Sequence, residues 1–206
     1  MLVSAQEAYR LWAPEYDSGL NPLLALEART LQSRLGALRG STFLDAGAGT
    51  GRWMICARRA GARTFGIDLS AEMLAVASGS LVRGDIRRLP FMDDAVDVAV
   101  CSMTLGYVRS AEEVLAELTR VARRVIVSDL HPAAVAAGWT RSFRTHGRKY
   151  EIEQYAHSVR DLRPDWFAEE YFGEPERHIF EAASKADTFG KMTAVPAIYA
   201  AGWSRQ

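Results

Sequence analysis

A run of glycines between an apolar segment and a helical pattern limits the possible folds of this chain more than any other feature. The segment Phe43–Trp53 reads FLDAGAGTGRW, with glycines at Gly47, Gly49 and Gly51. Glycine adopts positive φ at little cost, and it lets the backbone approach a ligand that a Cβ would exclude. Placed between a buried strand and a helix, these glycines predict a tight turn at the carboxyl end of a parallel sheet, where ligands of such folds bind.

Short apolar segments alternate with helical patterns from residue 41 to 130, which is typical of a parallel sheet covered by helices. The candidate strands are Thr42–Ala46, Arg63–Asp68, Ser80–Val82, Ala95–Ser102 and Arg124–Asp129. The candidate helices are Gly51–Ala60, Ala71–Ala77 and Ala111–Ala122. Further along, period-2 apolar positions over 139–155 predict a hairpin that turns at His146 and Gly147, and Ala197–Trp203 is a candidate closing strand.

Composition excludes several classes of protein. The 25 basic and 25 acidic residues give a formal net charge of zero, which argues against long-range attraction to nucleic acid or to an anionic membrane. Two cysteines, Cys56 and Cys101, cannot build a disulfide scaffold or a four-cysteine zinc site. No apolar run reaches about 18 residues, and the amino terminus lacks a basic stretch followed by an apolar core. We therefore predict a cytoplasmic enzyme or binding domain.

Two acidic residues follow the next strands at positions that suit a nucleoside. Asp68 ends the strand after the glycine turn, where a carboxylate can accept both hydrogen bonds of a ribose diol. Asp85 follows the third strand and is placed to accept from an exocyclic amine, with Ile86 against the base. The dinucleotide fingerprint requires a third glycine at the position of Arg52, so the G-x-G-x-G spacing disfavours a nicotinamide or flavin ligand.

Together these segments resemble the class I S-adenosylmethionine-dependent methyltransferases of small-molecule type, in particular the ubiquinone/menaquinone-biosynthesis-like C-methyltransferases. The motifs that carry the resemblance are Asp45–Gly51, Gly66–Ser70, Gly84–Ile86 and Leu89–Asp94. It covers about residues 5–130 and, more loosely, the closing strand. It implies an α/β, three-layer Rossmann-like fold with a mostly parallel seven-stranded sheet whose last strand is antiparallel, and S-adenosyl-L-methionine as the cofactor.

The resemblance also implies roles for individual residues. The methionine portion of the cofactor would contact Asp45, Gly47, Gly49 and Gly51, and the ribose hydroxyls would bind Asp68. The adenine would lie against Leu69 and Met73 with its edge at Asp85 and Ile86, and Ser102 would lie near the sulfonium. The segment Ala8–Asp17 is similar to the capping segment of that group, from which we expect Tyr16 to close over the cofactor.

Aromatic residues are concentrated towards the two ends of the chain, which suggests the wall of a substrate pocket. The candidate substrate contacts are Tyr9, Trp12, Tyr107, Trp139, Phe143 and Tyr155, with Trp166 and Phe167 as further wall residues. Packing between the hairpin and the sheet is an equally open interpretation of these aromatics. We predict one domain over 1–206, divided into an N-terminal helical cap (1–40), a cofactor-binding core (41–130) and a substrate-side region (131–206) with the hairpin and closing strand.

Methyl transfer from a sulfonium is an in-line displacement that chiefly requires alignment of the nucleophile, the methyl group and the sulfur. If the acceptor must be deprotonated, histidine is the usual base. His131, directly after the fifth strand, is the first candidate for a catalytic base, and His157 is the second. A structural, hydrogen-bonded imidazole remains the alternative for both. Asp129 stands alone at a strand end, and a metal would need several converging oxygen ligands, so we predict no metal.

We interpret the chain as a methyltransferase that acts on a small, aromatic or conjugated metabolite through an oxygen, nitrogen or carbon acceptor. We expect a monomer or homodimer with no nucleic-acid or membrane partner. The basic hairpin residues Arg141, Arg144, Arg148 and Lys149 are either solvated or hold an anionic substrate group. Three alternatives stay open: a cofactor-binding relative that catalyses another reaction such as cyclisation, an NAD-dependent oxidoreductase, and a nucleic-acid-binding module.

Overall fold

The computed structural model describes residues 1–182 and 186–205, and these contain ten strands and eight α-helices. The strands are β1 (Leu2–Val3), β2 (Thr42–Ala46), β3 (Arg63–Asp68), β4 (Ser80–Arg83), β5 (Val96–Ser102), β6 (Ala122–Leu130), β7 (Ser142–Thr145), β8 (Arg148–Ile152), β9 (Trp166–Glu170) and β10 (Ile198–Ser204). The helices are α1 (Ala5–Trp12), α2 (Pro22–Gln32), α3 (Arg52–Arg59), α4 (Ala71–Val76), α5 (Ala111–Val121), α6 (Pro132–Ala136), α7 (Glu174–Ala182) and α8 (Ala186–Met192).

Seven strands form the central sheet in the order β4-β3-β2-β5-β6-β10-β9. Neighbouring strands from β4 through β6 pair in parallel. The last strand, β10, lies between β6 and β9 and is antiparallel to both. The predicted fold class is therefore confirmed, including the antiparallel last strand.

Alternating side chains along the inner strands divide the core into two layers. On one face, Leu44, Ala99 and Val125 pack with the buried stripe of α5. On the other, Phe43 and Val98 pack with α3 and with the chain after α2. Because side chains alternate between the faces of a strand, consecutive apolar residues in β2, β5 and β6 bury both faces. Helices on each side of the sheet give the predicted three layers.

Local signals set the helix starts. Ser110 Oγ accepts a hydrogen bond from the Glu113 N–H at 3.2 Å at the start of α5. Ser70 Oγ accepts from the Met73 N–H at 3.2 Å at the start of α4. Such capping satisfies backbone donors that the first helical turn leaves unpaired. None of the helices within the described ranges is long and apolar enough to cross a bilayer.

One strand of the central sheet was not predicted. Trp166 and Phe167, expected in a pocket wall, belong to the edge strand β9 and pair with Gly202 and Ala201 of β10. The segment Trp166–Glu170 lacks the alternation of apolar and polar residues that identifies a half-buried strand. Phe167 stacks on Tyr199 with ring centroids 6.2 Å apart, so these aromatics serve the packing of the sheet edge.

A second, three-stranded sheet holds the amino terminus against the predicted hairpin. Strands β7 and β8 pair around the turn at His146 and Gly147, and β1 adds to β8 in parallel. The helix α1 packs on this sheet through Ala8, which clusters with Phe143 and Ile152. The predicted N-terminal cap thus contains a strand as well as helices. Residues 183–185 and 206 of the predicted substrate-side region lie outside the described ranges.

Candidate functional site

A cavity of about 330 Å³ opens where β2, β3, β4 and β5 end, beneath α1 and the turn that follows it. Carboxyl ends of parallel strands meet at one edge of a sheet, so residues far apart in the chain converge there. Ten of the eleven predicted cofactor residues line this cavity: Tyr16, Asp45, Gly47, Gly49, Asp68, Leu69, Met73, Asp85, Ile86 and Ser102. The exception is Gly51, which precedes α3 in a left-handed conformation with φ of +86° and shapes the helix start.

Backbone hydrogen bonds tie the glycine loop to the end of β3. The N–H groups of Gly47 and Ala48 both donate to the Ile67 carbonyl, at 2.8 and 2.9 Å. The Gly49 N–H donates to Asp68 Oδ2 at 2.8 Å. Gly47 has φ of +80°, and a Cβ there would collide with the Thr104 side chain. The loop therefore has room for backbone only, as a site that brings the main chain against a ligand requires.

Asp68 is the polar centre of the cavity. Its Oδ1 accepts from the Ser70 N–H at 2.8 Å, while Oδ2 accepts from the Gly49 N–H. Burial raises the pKa of this carboxyl above its usual value, and the backbone hydrogen bonds from Ser70 and Gly49 oppose the rise. A carboxylate has about four lone-pair sites, so Asp68 retains acceptor capacity for two ribose hydroxyls.

The other two acidic residues lie in contrasting environments. Asp85 is bound by its neighbour Arg87, whose Nη2 lies 2.6 Å from Oδ2, and this contact holds the pKa of Asp85 below its usual value. Asp45 is buried in β2, and burial raises its pKa to about 7, although the Arg52 charge and the Met54 N–H favour the ionised form. Asp45 is therefore a carboxyl that titrates near neutrality inside the cavity wall.

Tyrosines form another part of the cavity wall. Three of the predicted substrate contacts line the cavity: Tyr9, Tyr107 and Tyr155. The Tyr9 hydroxyl donates to the Tyr107 hydroxyl at 2.6 Å. Burial raises the pKa of both phenols, so at neutral pH they act as uncharged hydrogen-bonding groups.

A buried ion pair supports this tyrosine pair. The Arg141 guanidinium lies 4.8 Å from the Tyr107 ring centre and pairs with Asp129. Asp129 also accepts hydrogen bonds from the N–H groups of Gly106 and Leu130, each at 2.6 Å. The expectation of an isolated Asp129 is thus wrong, because Arg141 turns inward from the basic hairpin to meet it. Within the described ranges no group of three or more His, Cys, Asp or Glu side chains is placed to hold a metal ion, and metal independence stays a prediction.

Three predicted substrate contacts lie outside the cavity lining. Trp12 stacks on Phe143 with ring centroids 4.9 Å apart, between α1 and the hairpin. Trp139 stacks on Phe172 at 5.9 Å, in the cluster that includes α2 and α7. These flat apolar rings fill contacts between elements, so the interpretation as packing residues holds for them.

The two candidate catalytic histidines also lie outside the cavity lining. His131 Nδ1 accepts from the Ala133 N–H at 3.0 Å and caps α6, and its Nε2 lies 3.3 Å from Glu169 Oε1. His157 Nε2 lies 2.9 Å from the Val108 carbonyl oxygen and donates to it. The geometry does not support either residue as the base, because both imidazoles are held by structural hydrogen bonds.

We expect His131→Ala to remove a helix cap and to leave the cavity intact. The variant should lose about 1 kcal/mol of unfolding free energy, as is usual for a lost N-cap, and keep its affinity for S-adenosylhomocysteine. Denaturant unfolding and calorimetric titration measure the two quantities. His178→Ala, on the exposed side of α7, is the matched control. If His131→Ala but not His178→Ala bound S-adenosylhomocysteine tenfold more weakly, His131 would have to be part of the binding site.

Sequence reasoning missed Glu27, a completely buried carboxylate of α2. Its Oε2 lies 2.6 Å from Arg52 Nη2, and its Oε1 accepts from the hydroxyls of Ser102 and Ser128 at 2.6 and 2.7 Å. A signal was available, because Glu27 occupies the helical stripe that also carries the buried residues Leu26, Thr30 and Leu31. A charge within such a stripe indicates a buried partner.

Comparison with known proteins agrees with this geometry. A family model described as a methyltransferase domain matches residues 44–125. A malonyl-[acyl-carrier protein] O-methyltransferase of Pectobacterium atrosepticum is 38% identical over 104 residues, which cover 46% of this chain and 41% of that protein. A demethylmenaquinone methyltransferase of Thermobifida fusca is 28% identical over 187 residues, which cover 82% of this chain and 71% of that protein. The chain thus spans less than half the length of the first relative.

Solved structures share the fold at low sequence identity. An S-adenosylmethionine-dependent methyltransferase from Mesorhizobium loti superposes with a TM-score of 0.68 at 18% identity, over 90% of this chain and 100% of that one. One from Archaeoglobus fulgidus gives a TM-score of 0.63 at 15% identity, over 96% of this chain and 100% of that one. Taken with the matched family model and the sheet order, these similarities lead to one conclusion: residues 44–125 resemble a methyltransferase domain, and the chain shares the fold of S-adenosylmethionine-dependent methyltransferases.

Proposed function

We propose that this chain transfers the methyl group of S-adenosylmethionine to a small, flat metabolite. The observation that carries the proposal is a row of groups across four neighbouring strand ends in a single cavity. Asp85 follows β4, Asp68 ends β3, the glycine loop follows β2, and Ser102 ends β5. A nucleoside joined to an amino acid carries its chemical groups in an order that matches this row of residues: a base, a ribose diol and a zwitterionic end.

The residues of the row suit the cofactor one by one. Asp68 has acceptor capacity left for the ribose hydroxyls, and the glycine loop packs so closely on Thr104 that it has no room for a Cβ at Gly47. The buried side chains of Met73 and Ile86 supply apolar contacts for the base. When bound, S-adenosylmethionine supplies an electrophilic methyl group and its own leaving group. The work left to the chain is alignment, for which correct geometry alone supplies several kcal/mol.

The tyrosine wall supports a flat acceptor. Tyr9, Tyr16, Tyr107 and Tyr155 contribute rings or hydroxyls to the cavity beyond the glycine loop. The two relatives are named for acceptors as different as demethylmenaquinone and malonyl-acyl-carrier protein, so the acceptor class rests on this wall. A polar atom of an aromatic or conjugated metabolite would hydrogen-bond to the Tyr9–Tyr107 pair.

The proposal includes a monomer or homodimer in the cytoplasm that needs no nucleic-acid partner, as the net charge of zero suggests. The non-methylating alternative has no support, because the relatives and neighbours described above are methyltransferases. The nicotinamide alternative is disfavoured by Arg52, which occupies the position of the third fingerprint glycine.

Labelled methyl transfer tests the function. Purified protein is incubated with S-adenosylmethionine that carries a ¹³C-labelled methyl group and with an extract of small metabolites. We expect one small molecule to gain the labelled methyl group while an equal amount of S-adenosylhomocysteine forms. Protein that binds the cofactor yet forms no more labelled product than the Asp68→Ala variant would contradict the proposal.

We expect Asp68→Ala to weaken S-adenosylhomocysteine binding by about 2–4 kcal/mol, because hydrogen bonds to a charged group are each worth roughly 1.5–3 kcal/mol and do not add fully. That range corresponds to roughly 30- to 1000-fold in Kd. Calorimetric titration measures it, and circular dichroism confirms the fold. Asp93→Ala, a substitution at an exposed carboxylate on the surface, is the control. Equal affinities of Asp68→Ala and the wild type would remove Asp68 from the site.

A further inference from the structure

Tyr107 has a hydroxyl proton that no other residue uses. Tyr107 lines the cavity, and its oxygen accepts a hydrogen bond from the Tyr9 hydroxyl at 2.6 Å. Within residues 1–182 and 186–205 the Tyr107 hydroxyl makes no other hydrogen bond. A hydroxyl that accepts one hydrogen bond becomes a stronger donor of its own proton, because hydrogen bonds in a chain polarise one another. Tyr107 can therefore donate this proton to a ligand in the cavity.

A buried cation lies against the Tyr107 ring. The Arg141 side chain is only 9% exposed, pairs with Asp129, and has its guanidinium carbon 4.8 Å from the ring centre. Burial raises the pKa of Tyr107; the Arg141 charge and the Tyr9 hydrogen bond oppose this rise, whereas the Asp129 charge adds to it. Tyr16, the other tyrosine near this pair, is uncharged at neutral pH, because burial raises its pKa as well. Arg141 and Tyr9 thus favour negative charge at the Tyr107 oxygen.

The cavity offers no imidazole that could deprotonate an acceptor. The chain has four histidines, and within the described ranges none of them lines the cavity. Arg109, 5.5 Å from the Tyr155 ring centre, adds a second positive charge to the tyrosine wall. An acceptor that ionises in water near neutral pH needs no protein base, because it can bind as its anion. A wall with hydroxyl donors and nearby cations suits such an anion.

We propose that the Tyr107 hydroxyl, supported by Tyr9 and Arg141, binds an ionised oxygen of the acceptor, so that the protein selects metabolites with an acidic phenol or enol. The inference rests on the proposed function and adds the charge of the acceptor to it. Arg141 does not line the cavity and acts through the Tyr107 ring, so it is a positioning residue.

The reaction balances without a protein base. The acceptor loses its proton to water before it binds. The anionic oxygen, or a carbon conjugated to it, then forms a bond to the methyl carbon, while the carbon–sulfur bond breaks and its electron pair stays on sulfur. An anion and a sulfonium thereby give a neutral methylated product and the thioether S-adenosylhomocysteine.

Two matched probes test the preference for an anion. Protein saturated with S-adenosylhomocysteine is titrated with 4-nitrophenol, which is yellow only when ionised, and with 4-nitroanisole, which carries a methyl ether in place of the hydroxyl. We expect ionised nitrophenol to bind roughly 10- to 100-fold more tightly than nitroanisole, the range for a hydrogen bond to a charged group. The absorbance of the bound probe should also show that nitrophenol ionises at a lower pH on the protein than in solution.

Conservative variants separate this role from a structural one. Tyr107→Phe keeps the ring on Arg141 and removes the hydroxyl, so it should lose the preference for ionised nitrophenol and bind nitroanisole and S-adenosylhomocysteine normally. Tyr9→Phe removes the hydrogen bond to Tyr107 and should reduce the preference by less. Tyr171→Phe, at an exposed tyrosine outside the cavity lining, is the matched control and should change no affinity.

A double variant tests the positioning role of Arg141. Arg141→Met combined with Asp129→Asn removes both charges of the buried pair, so neither is left unpaired. Ionisation of bound nitrophenol should move back towards the pH found in solution, while nitroanisole still binds. An unchanged ionisation pH in this variant would remove Arg141 from the proposal.

Equal affinity of the wild type for the two probes, or full preference for ionised nitrophenol in Tyr107→Phe, would overturn the inference. Failure of both probes to bind the protein loaded with S-adenosylhomocysteine would overturn it too. Protein that does not bind S-adenosylhomocysteine would instead overturn the proposed function.

Discussion

Gly47→Ala is expected to destabilise the fold by about 2–5 kcal/mol and to abolish binding of S-adenosylhomocysteine. Positive φ costs a residue with a Cβ about 1–2 kcal/mol, and an added methyl group in a packed site costs about 1–3 kcal/mol more. Here φ is +80°, and the Cβ would lie 2.8 Å from Thr104 Cβ and closer still to the other side-chain atoms of Thr104. Relief of that collision would pull the loop away from β3, and with it the Gly49 N–H that binds Asp68.

Gly138→Ala is the matched control for this prediction. Gly138 also has positive φ, +87°, but no atom lies within 4 Å of the position of its Cβ. The control should therefore lose only about 1–2 kcal/mol and bind ligand normally. Denaturant unfolding and calorimetry of both variants give the comparison. Equal destabilisation, with binding intact in Gly47→Ala, would show that the close approach of the loop to Thr104 is not required.

Asp45→Asn should stabilise the protein at alkaline pH and have little effect at acid pH. The pKa of Asp45 is about 7 in the folded protein, raised by burial from 3.8. Between these values the unfolded chain releases the proton first, so the wild type loses stability as pH rises from about 4 to about 7. That interval spans roughly three pH units at about 1.4 kcal/mol each, which gives about 4 kcal/mol as the largest expected gain for Asn above pH 7.

Urea unfolding of both proteins at several pH values between 4.5 and 8 tests this expectation. Asp97 provides a control of opposite sign, because hydrogen bonds from the Thr42 N–H and hydroxyl, both at 2.8 Å, hold its pKa below the usual value. Its contribution is complete above about pH 4, so Asp97→Asn should be destabilising by the same amount at every pH from 4.5 to 8. A constant difference between Asp45→Asn and wild type across this range would contradict the buried titration.

The cofactor side of the site could be predicted because parallel strands bring their carboxyl ends together. Once Gly47, Asp68 and Asp85 are each assigned to the end of a strand, the topology alone makes them neighbours. The same logic gave β2 and β3 with their observed bounds. This reasoning does not predict β9. The residues of β9 show no alternation of apolar and polar side chains, and they pair only with a strand about thirty residues later.

The acceptor side depends on tertiary contacts that sequence periodicity does not report. Tyr9 and Trp12 lie on the same short helix, yet Tyr9 lines the cavity and Trp12 stacks on Phe143. His131 follows a strand end in the expected place, but its ring turns back to cap α6. The direction of one side chain decides each case: Trp12 meets Phe143 far away in the chain, whereas the His131 ring is held by the Ala133 N–H two residues on.

One measurement tests the central claim that the glycine loop and Asp68 hold an S-adenosyl nucleoside. Calorimetry on folded protein should compare S-adenosylhomocysteine with NAD under identical conditions. We predict saturable binding of S-adenosylhomocysteine at one site per chain, with no heat from NAD. Saturable binding of NAD by protein that gives no heat with the S-adenosyl ligand would contradict the account.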